Sequence, residues 1–180
     1  MILVVAATAR ELDGLRDAET LVCGIGPVEA ALVTARAITA HRPTAILHVG
    51  IAGARKLEPP ALVLGSDSVY CDIIDERSLI PRVERVAPDP QLLDAVRRAL
   101  PEAHVLPIAT SASVGGGTHC DVEAMEGFGV LRAAELAGVP AVELRAVSNA
   151  VDEPVRARWR FDDAFAALRD AVPRVLEALA

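Results

Sequence analysis

Residues 122–149, VEAMEGFGVLRAAELAGVPAVELRAVSN, constrain the fold more than any other stretch of the chain. Apolar residues recur at helical spacing up to Gly138-Val139-Pro140, a helix stop, and an apolar run then ends in Arg145, Ser148 and Asn149. The pattern predicts an amphipathic helix entered by two carboxylates, Glu123 and Glu126, and followed directly by a strand. A helix feeding a buried strand is half of a βαβ unit and commits the chain to an α/β sheet. Ligands bind such sheets at the carboxyl ends of strands and the starts of helices. Glu126 and Asn149 fall at those two places, and a carboxylate, a guanidinium and an amide gathered there suit a nucleoside.

The same alternation fills the remainder. Ile2 to Ala6 reads as a strand and residues 21–23 as another. Gly24-Ile25-Gly26-Pro27 is a turn whose proline suits the first position of a helix running to His41, with Pro43 stopping it. Residues 45–49 form a buried strand leading into the loop Gly50-Ile51-Ala52-Gly53. Strand pieces at 61–64 and 68–71 flank Gly65-Ser66-Asp67, and the charged, proline-bearing stretch 76–90 is an irregular connection. A helix at 91–100, a strand at 105–110, a glycine-rich loop at 113–118 and a closing helix at 162–179 complete the chain. The expected architecture is a three-layer α/β/α sandwich around a mixed, mostly parallel sheet. With no repeat or linker, residues 1–180 form one domain.

Composition narrows the functional classes. Hydrophobic residues at 52 % and charged residues at 24 % exclude disorder, and 3 % aromatics leave the core to Ala, Val and Leu. A net charge of -7 argues against a nucleic acid or an anionic membrane surface as partner. The one dense basic run, Arg156 to Arg160, reads as a solvated flank. No apolar run approaches the roughly 18 residues of a membrane span, and the apolar start lacks a basic leader, so it reads as a strand rather than a signal peptide. Cys23, Cys71 and Cys120 are widely spaced packing cysteines of a reduced, cytoplasmic protein. The scattered histidines have no ligand spacing, so neither a metal nor another cofactor is expected.

Four polar residues stand out. A carboxylate in a helix's first turn commonly just complements the helix dipole, but Glu126 also accepts from two vicinal hydroxyls if a ribose lies against it. Arg145 sits in an otherwise apolar strand, where an unpaired charge is costly. Its candidate partners are Glu143, on the same strand face, Glu126 and Glu11. Glu11 follows the first strand as a helix-start carboxylate or a site residue. Asn149 reads as a turn residue or as a base-reading amide. GIG lacks the spacing of a dinucleotide loop, and no phosphate loop of the GxxxxGK[ST] kind occurs. Gly115-Gly116-Gly117 is a mobile lid or a flexible surface turn.

In order along the chain, AATARE, GIGPVEAAL, HVGIAG, VEAMEG and LRAVSN resemble the nucleoside phosphorylase/nucleosidase superfamily. The likeness lies at the branch of methylthioadenosine/adenosylhomocysteine nucleosidases and futalosine hydrolases. It implies a mixed, partly barrel-like sheet and cleavage of an N-glycosidic bond without a cofactor. By position it makes Glu11 the carboxylate that activates water and sets Met125 and Glu126 beneath the ribose. It puts Arg145 near the water and the carboxylates, and Gly50 and Ile51 against the substrate. Asn149 takes the position that touches the purine at N7 and the six-substituent. Methylthioadenosine nucleosidases carry Asp there. An ionised carboxylate only accepts, whereas an amide donates to O6 and accepts from a protonated N7. Asn149 therefore favours a 6-oxopurine. The implied reaction is futalosine to hypoxanthine and dehypoxanthine futalosine, in menaquinone biosynthesis.

Three alternatives stay open. One is a methylthioadenosine/adenosylhomocysteine nucleosidase. Another is a phosphorylase using Arg10, Arg36 and Arg55. The third is a trimmed nucleoside-binding protein with little turnover. By the same resemblance the chain assembles as a homo-oligomer, with a small purine nucleoside and water as its partners.

Overall fold

The computed structural model of the chain describes residues 1–73, 81–115 and 117–180. Its elements run β1 (Ile2–Ala6), β2 (Glu19–Val22), α1 (Pro27–His41), β3 (Ala45–Ala54), β4 (Leu62–Tyr70) and β5 (Arg85–Val86). They continue with α2 (Pro90–Ala99), β6 (His104–Thr110), β7 (Val122–Ala124), α3 (Gly127–Ala137), β8 (Ala141–Ala150) and α4 (Phe161–Leu179).

The strands follow the order β2-β1-β3-β7-β6-β4-β5, and β8 pairs with both β3 and β4, closing a ring β3-β7-β6-β4-β8. Among the described residues five pairings are parallel and three, β3·β7, β4·β5 and β4·β8, are antiparallel. Strand alternation sorts the side chains into layers. Val4 and Ala6 of β1, Leu47 and Val49 of β3, and Val142 and Leu144 of β8 pack with α2 and α4. Leu3, Val5 and Ile46 point the other way, to α1 and α3. Ala52, Val63, Ile108, Val122 and Val147 form a third apolar cluster that fills the ring. The three-layer α/β/α expectation holds, with a sheet partly closed on itself.

α1 begins as its sequence predicts. Gly26, at φ 94°, supplies the left-handed turn before it, and Pro27 takes its first position. Elsewhere pairing overrides local pattern. β3 runs through Gly50 and Gly53 instead of ending before them. A Cβ at Gly50 would overlap the Arg145 guanidinium, and one at Gly53 would sit 3.1 Å from the Asn149 amide nitrogen. Those glycines mark close approach within a strand, not its end. β4 is continuous across Gly65-Ser66-Asp67, which form an irregularity in its register with β6. β2 lies over residues 19–22, paired to β1.

Residues 122–124 form a strand between β3 and β6 rather than the first turn of a helix. Val122 and Ala124 face the ring's apolar filling with period two, and α3 starts after Glu126. Of the stretch expected to be irregular, residues 85–86 pair with β4 as β5, and 76–80 lie outside the described residues.

The α1–α3 contact depends on one small residue. A Cβ on Gly129 would lie 2.5 Å from the Pro27 carbonyl oxygen and 3.1 Å from the Ala31 nitrogen, both backbone. Overpacking against backbone costs about 1–3 kcal/mol. Gly129→Ala is expected to lower stability by that amount, read as a lower urea midpoint at unchanged slope. A wild-type midpoint would show that the two helices part without cost.

Candidate active site

At the mouth of the ring lies a cavity of about 380 Å³. Glu11, Ile51, Met125, Glu126 and Asn149 all line it. These five come from the turns after β1 and β7 and from the ends of β3 and β8, so the sheet alone brings them together. Two expected site residues are not on the wall. Gly50 and Arg145 lie one layer behind it, with Arg145 completely buried. The resemblance sets Gly50 against the substrate and Arg145 near the carboxylates, and Arg145 Nη1 does meet Glu126 Oε2 at 3.5 Å. Gly50 leaves room for the guanidinium, and Arg145 touches the cavity wall through Glu126.

Glu11 sits in a single 3-10 turn, Ala9–Leu12, and both its oxygens are occupied. The Thr8 N–H (2.8 Å) and hydroxyl (2.9 Å) donate to Oε2, and the Ile51 N–H (3.1 Å) donates to Oε1. It is the helix-start carboxylate and a pocket residue at once. Three donors fix its position and orient its remaining lone pairs.

Glu126 is 4 % exposed and immediately precedes α3, its side chain turned away from the helix's own N–H groups. The Gly26 N–H donates to its Oε1 at 3.1 Å, and Arg145 Nη1 meets Oε2 at 3.5 Å. Burial pushes its carboxyl above the ordinary value of 4.5; the Arg145 charge and the Gly26 N–H pull it back, while Glu11 and Glu143 push it further up. An ionised Glu126 is the form that accepts from two hydroxyls. For any activity that uses this carboxylate ionised, the acid limb of kcat/KM is accordingly expected to lie above 4.5, activity rising with pH through it. A limb at or below 4.5 would separate activity from Glu126 ionisation.

Arg145 answers its burial with partners on every edge. Nε donates to Glu143 at 2.8 Å, Nη2 to His48 Nε2 at 2.5 Å, and Nη1 reaches Glu126. Burial opposes its charge, but Glu143, Glu126 and Glu11 overcome that and hold it protonated. Of the partners expected for it, Glu143 and Glu126 bond it directly; Glu11 acts on it only through its field. His48 was not legible as part of this group. In sequence it is one polar residue in an apolar strand, and its partner is 97 residues away.

Asn149 owes its aim to a shift in the β3–β8 register, where Ala52 opposes Val147 but Gly53 opposes Asn149. The extra residue, Ser148, lets two consecutive side chains reach the pocket. Ser148 donates its hydroxyl hydrogen to Asn149 Oδ1 at 2.7 Å, and Asn149 Nδ2 donates to the Ala150 carbonyl at 2.8 Å. The amide is thereby oriented, with one N–H and one lone pair still unused.

The far wall was missed. Trp159, Phe161 and Phe165 line the cavity with Arg10 and Arg156. Arg156 lies over the Trp159 ring at 5.4 Å and Arg10 over Phe165 at 4.8 Å. The run is a solvated flank at Arg156, Arg158 and Arg160, all exposed, but Trp159 is half-buried and lines the pocket, as Arg156 also does. The available signal was clustering: the chain has five aromatic residues, and three fall between 159 and 165. Ser113, Val114 and Gly115 close another side; Gly116 lies outside the described residues. Of the three arginines named for phosphate, Arg10 lines the cavity and the other two do not. Arg55 bonds the Cys120 and Thr118 carbonyls and Glu123, and Arg36 is exposed on α1.

Comparison with known proteins bears on the family and the fold. Residues 20–180 match the sequence profile of the Phosphorylase superfamily. A curated futalosine hydrolase of Streptomyces coelicolor is 58 % identical over 57 residues, a stretch that spans 32 % of this chain and 24 % of that relative. The 5'-methylthioadenosine/S-adenosylhomocysteine nucleosidase of Neisseria meningitidis, solved with methylthio-immucillin-A, superposes with a TM-score of 0.88 at 20 % identity, covering 98 % of each chain. Native futalosine hydrolase of Helicobacter pylori superposes with a TM-score of 0.82 at 19 % identity, covering 99 % of this chain and 96 % of that one. At such identities the two structures share the fold.

Proposed function

This chain belongs to the Phosphorylase superfamily, and we propose that it hydrolyses the N-glycosidic bond of a 6-oxopurine nucleoside, futalosine being the substrate that fits best. The observation that carries the reading is the meeting of Glu11, the pair Met125–Glu126 and the Asn149 amide on one cavity wall. The stretch of high identity to a futalosine hydrolase supports the choice of substrate. The products would be hypoxanthine and dehypoxanthine futalosine, a step of menaquinone biosynthesis.

As the base departs, the sugar becomes oxocarbenium-like. Glu126 accepts from its hydroxyls and offsets the positive charge. Negative charge moves onto the purine, which takes a proton at N7 from solvent water. Asn149 donates to O6 and accepts from that N7–H, making the base a better leaving group. Glu11 takes a proton from the water that attacks the anomeric carbon, and the hydroxyl completes the sugar product. The proton later shed by Glu11 returns to solvent. The wall of Trp159, Phe161 and Phe165 beneath two arginines remains for the five-prime substituent. It suits one that is apolar and carries an anion.

Phosphorolysis fits less well. Arg55 is committed elsewhere, Arg36 lies away from the cavity, Arg10 alone of the three lines it and is paired with Asp162, and the Glu11 carboxylate repels phosphate beside it. The test is base release from futalosine, inosine, methylthioadenosine and adenosylhomocysteine, each with and without phosphate. Hypoxanthine from futalosine at a rate indifferent to phosphate is expected. Strict phosphate dependence would overturn hydrolysis, preference for the adenine nucleosides would move the chain to the other branch, and silence across the panel would favour a binding protein. The same reading carries a homo-oligomer, which light scattering checks; a monomer would contradict it.

A further inference from the structure

We infer that Glu143 and His48 are positioning residues for this reaction: neither faces the cavity, and together they fix the Arg145 guanidinium so that its one remaining edge meets Glu126. The inference rests on the hydrolytic reading above for its kinetic consequences, and on geometry alone for the arrangement itself.

Glu143, His48 and Arg145 are all completely buried, and none of them lines the cavity. A guanidinium is planar, so two bonds on different edges leave it no rotation. Glu143 takes Nε at 2.8 Å and His48 takes Nη2 at 2.5 Å. What is left, Nη1, reaches Glu126 and the Ile51 carbonyl, each at 3.5 Å.

Both anchors are themselves anchored. The Ser68 hydroxyl donates to the second Glu143 oxygen. A side chain at Gly127 would overlap that carboxylate, so the first residue of α3 is small where the network passes beneath it. His48 Nδ1 lies 3.0 Å from the Val5 carbonyl, which can only accept; the proton is therefore on Nδ1, and Nε2 presents a lone pair to Arg145. Burial, and next the Arg145 charge, hold His48 neutral in agreement with this tautomer.

The balance of charge shows why the arrangement bears on the site. The charged and titratable groups around Arg145 are Glu11 after β1, Cys23 after β2, His48 on β3, Glu126 before α3 and Glu143 on β8. Cys23 stays a thiol, its pKa raised to about 12 chiefly by burial. One cation therefore serves three carboxylates, two of which line the cavity. Glu143 shares the cation's charge and directs its free edge. Its own charge is felt at Glu126, whose ionisation it opposes.

The experiment uses three variants. In Glu143→Gln the amide oxygen still accepts from Arg145 Nε, and the amide N–H can donate to Ser68, so shape is kept and one negative charge is lost. The Glu126 carboxyl carbon, followed by NMR in the substrate-free protein, is expected to titrate lower than in the wild type. The acid limb of turnover should shift with it while KM stays within about twofold. His48→Gln places an acceptor near the former Nε2, whereas His48→Asn keeps only the donor to Val5. The Asn variant is expected to lose about tenfold or more in kcat at little change in KM, with the Gln variant recovering most of it. An unmoved Glu126 midpoint in Glu143→Gln, or equal activity of the two His48 variants, would overturn the inference. If the His48 variants do not fold, the Glu143→Gln titration decides by itself. Failure of the wild type to release base from any nucleoside would instead sink the hydrolytic reading, and the substrate-free titration would still judge this one.

Discussion

Glu11→Gln is expected to bind substrate with KM within about threefold of wild type and to lose some ~10²–10⁴-fold in kcat, the usual contribution of a positioned general base. The amide cannot take a proton from water, but its oxygen keeps the place of a carboxylate oxygen. The structure adds a complication. Glu11 Oε2 receives two hydrogens from Thr8 and Oε1 receives one from Ile51. A glutamine offers one acceptor oxygen, so its NH2 must face either Thr8 or the Ile51 N–H. With the NH2 toward Ile51, the Thr8 bonds survive and the clash falls on the β3 end of the pocket. A loss in kcat with preserved binding is the signature of an interaction made only in the transition state. Equal loss in KM and kcat would mean that Glu11 shapes the pocket rather than activating water. Thermal unfolding of the variant, run alongside, separates a folded and inactive protein from a destabilised one.

Asn149→Asp should lower the preference for 6-oxopurines over 6-aminopurines by about 10²-fold or more, since a site built to hydrogen-bond one partner rejects an analogue that leaves buried groups unpaired. Asn149 Nδ2 now donates to the Ala150 carbonyl at 2.8 Å. An aspartate would set oxygen against oxygen there and must swing toward the ligand. Ser148 still donates to the other oxygen, so the new carboxylate is held and presents an acceptor to the base. The ratio of kcat/KM for a hypoxanthine and an adenine nucleoside of equal five-prime group reads the effect. An unchanged ratio would show that position 149 does not read the base.

Much of this molecule was legible in its sequence where the determinant was local. Gly26-Pro27 marks the start of α1, Pro43 its stop, and the helical spacing of residues 91–100 and 162–179 matches α2 and α4 to within a residue or so. Glu11, Met125, Glu126, Ile51 and Asn149 all reach the cavity. What escaped depends on residues far apart in the chain. Gly50 looks like a loop until Arg145 fills the space beside it. Residues 122–124 look helical until β3 and β6 pair with them. His48 has no local signal at all, because its importance lies in an arginine on another strand. The basic run 156–160 is the solvated flank its charge suggests at Arg156, Arg158 and Arg160, which are exposed, whereas half-buried Trp159 escapes that reading and joins Phe161 and Phe165 on the cavity wall.

The buried position of Arg145 also bears on how defects in this protein would present in a cell. Removing one member of a buried ion pair typically costs 3–5 kcal/mol, against a total stability of about 5–15 kcal/mol for a domain. Glu143, His48 and Arg145 hold one another at zero exposure, so a crude substitution at any of them threatens the fold as well as the reaction. Losses of that size reduce the amount of protein that survives surveillance by proteases and chaperones. Substitutions on the cavity wall, such as at Glu11, would leave an abundant, inert protein. Substitutions one layer deeper would leave little protein, and the deficit would be one of supply.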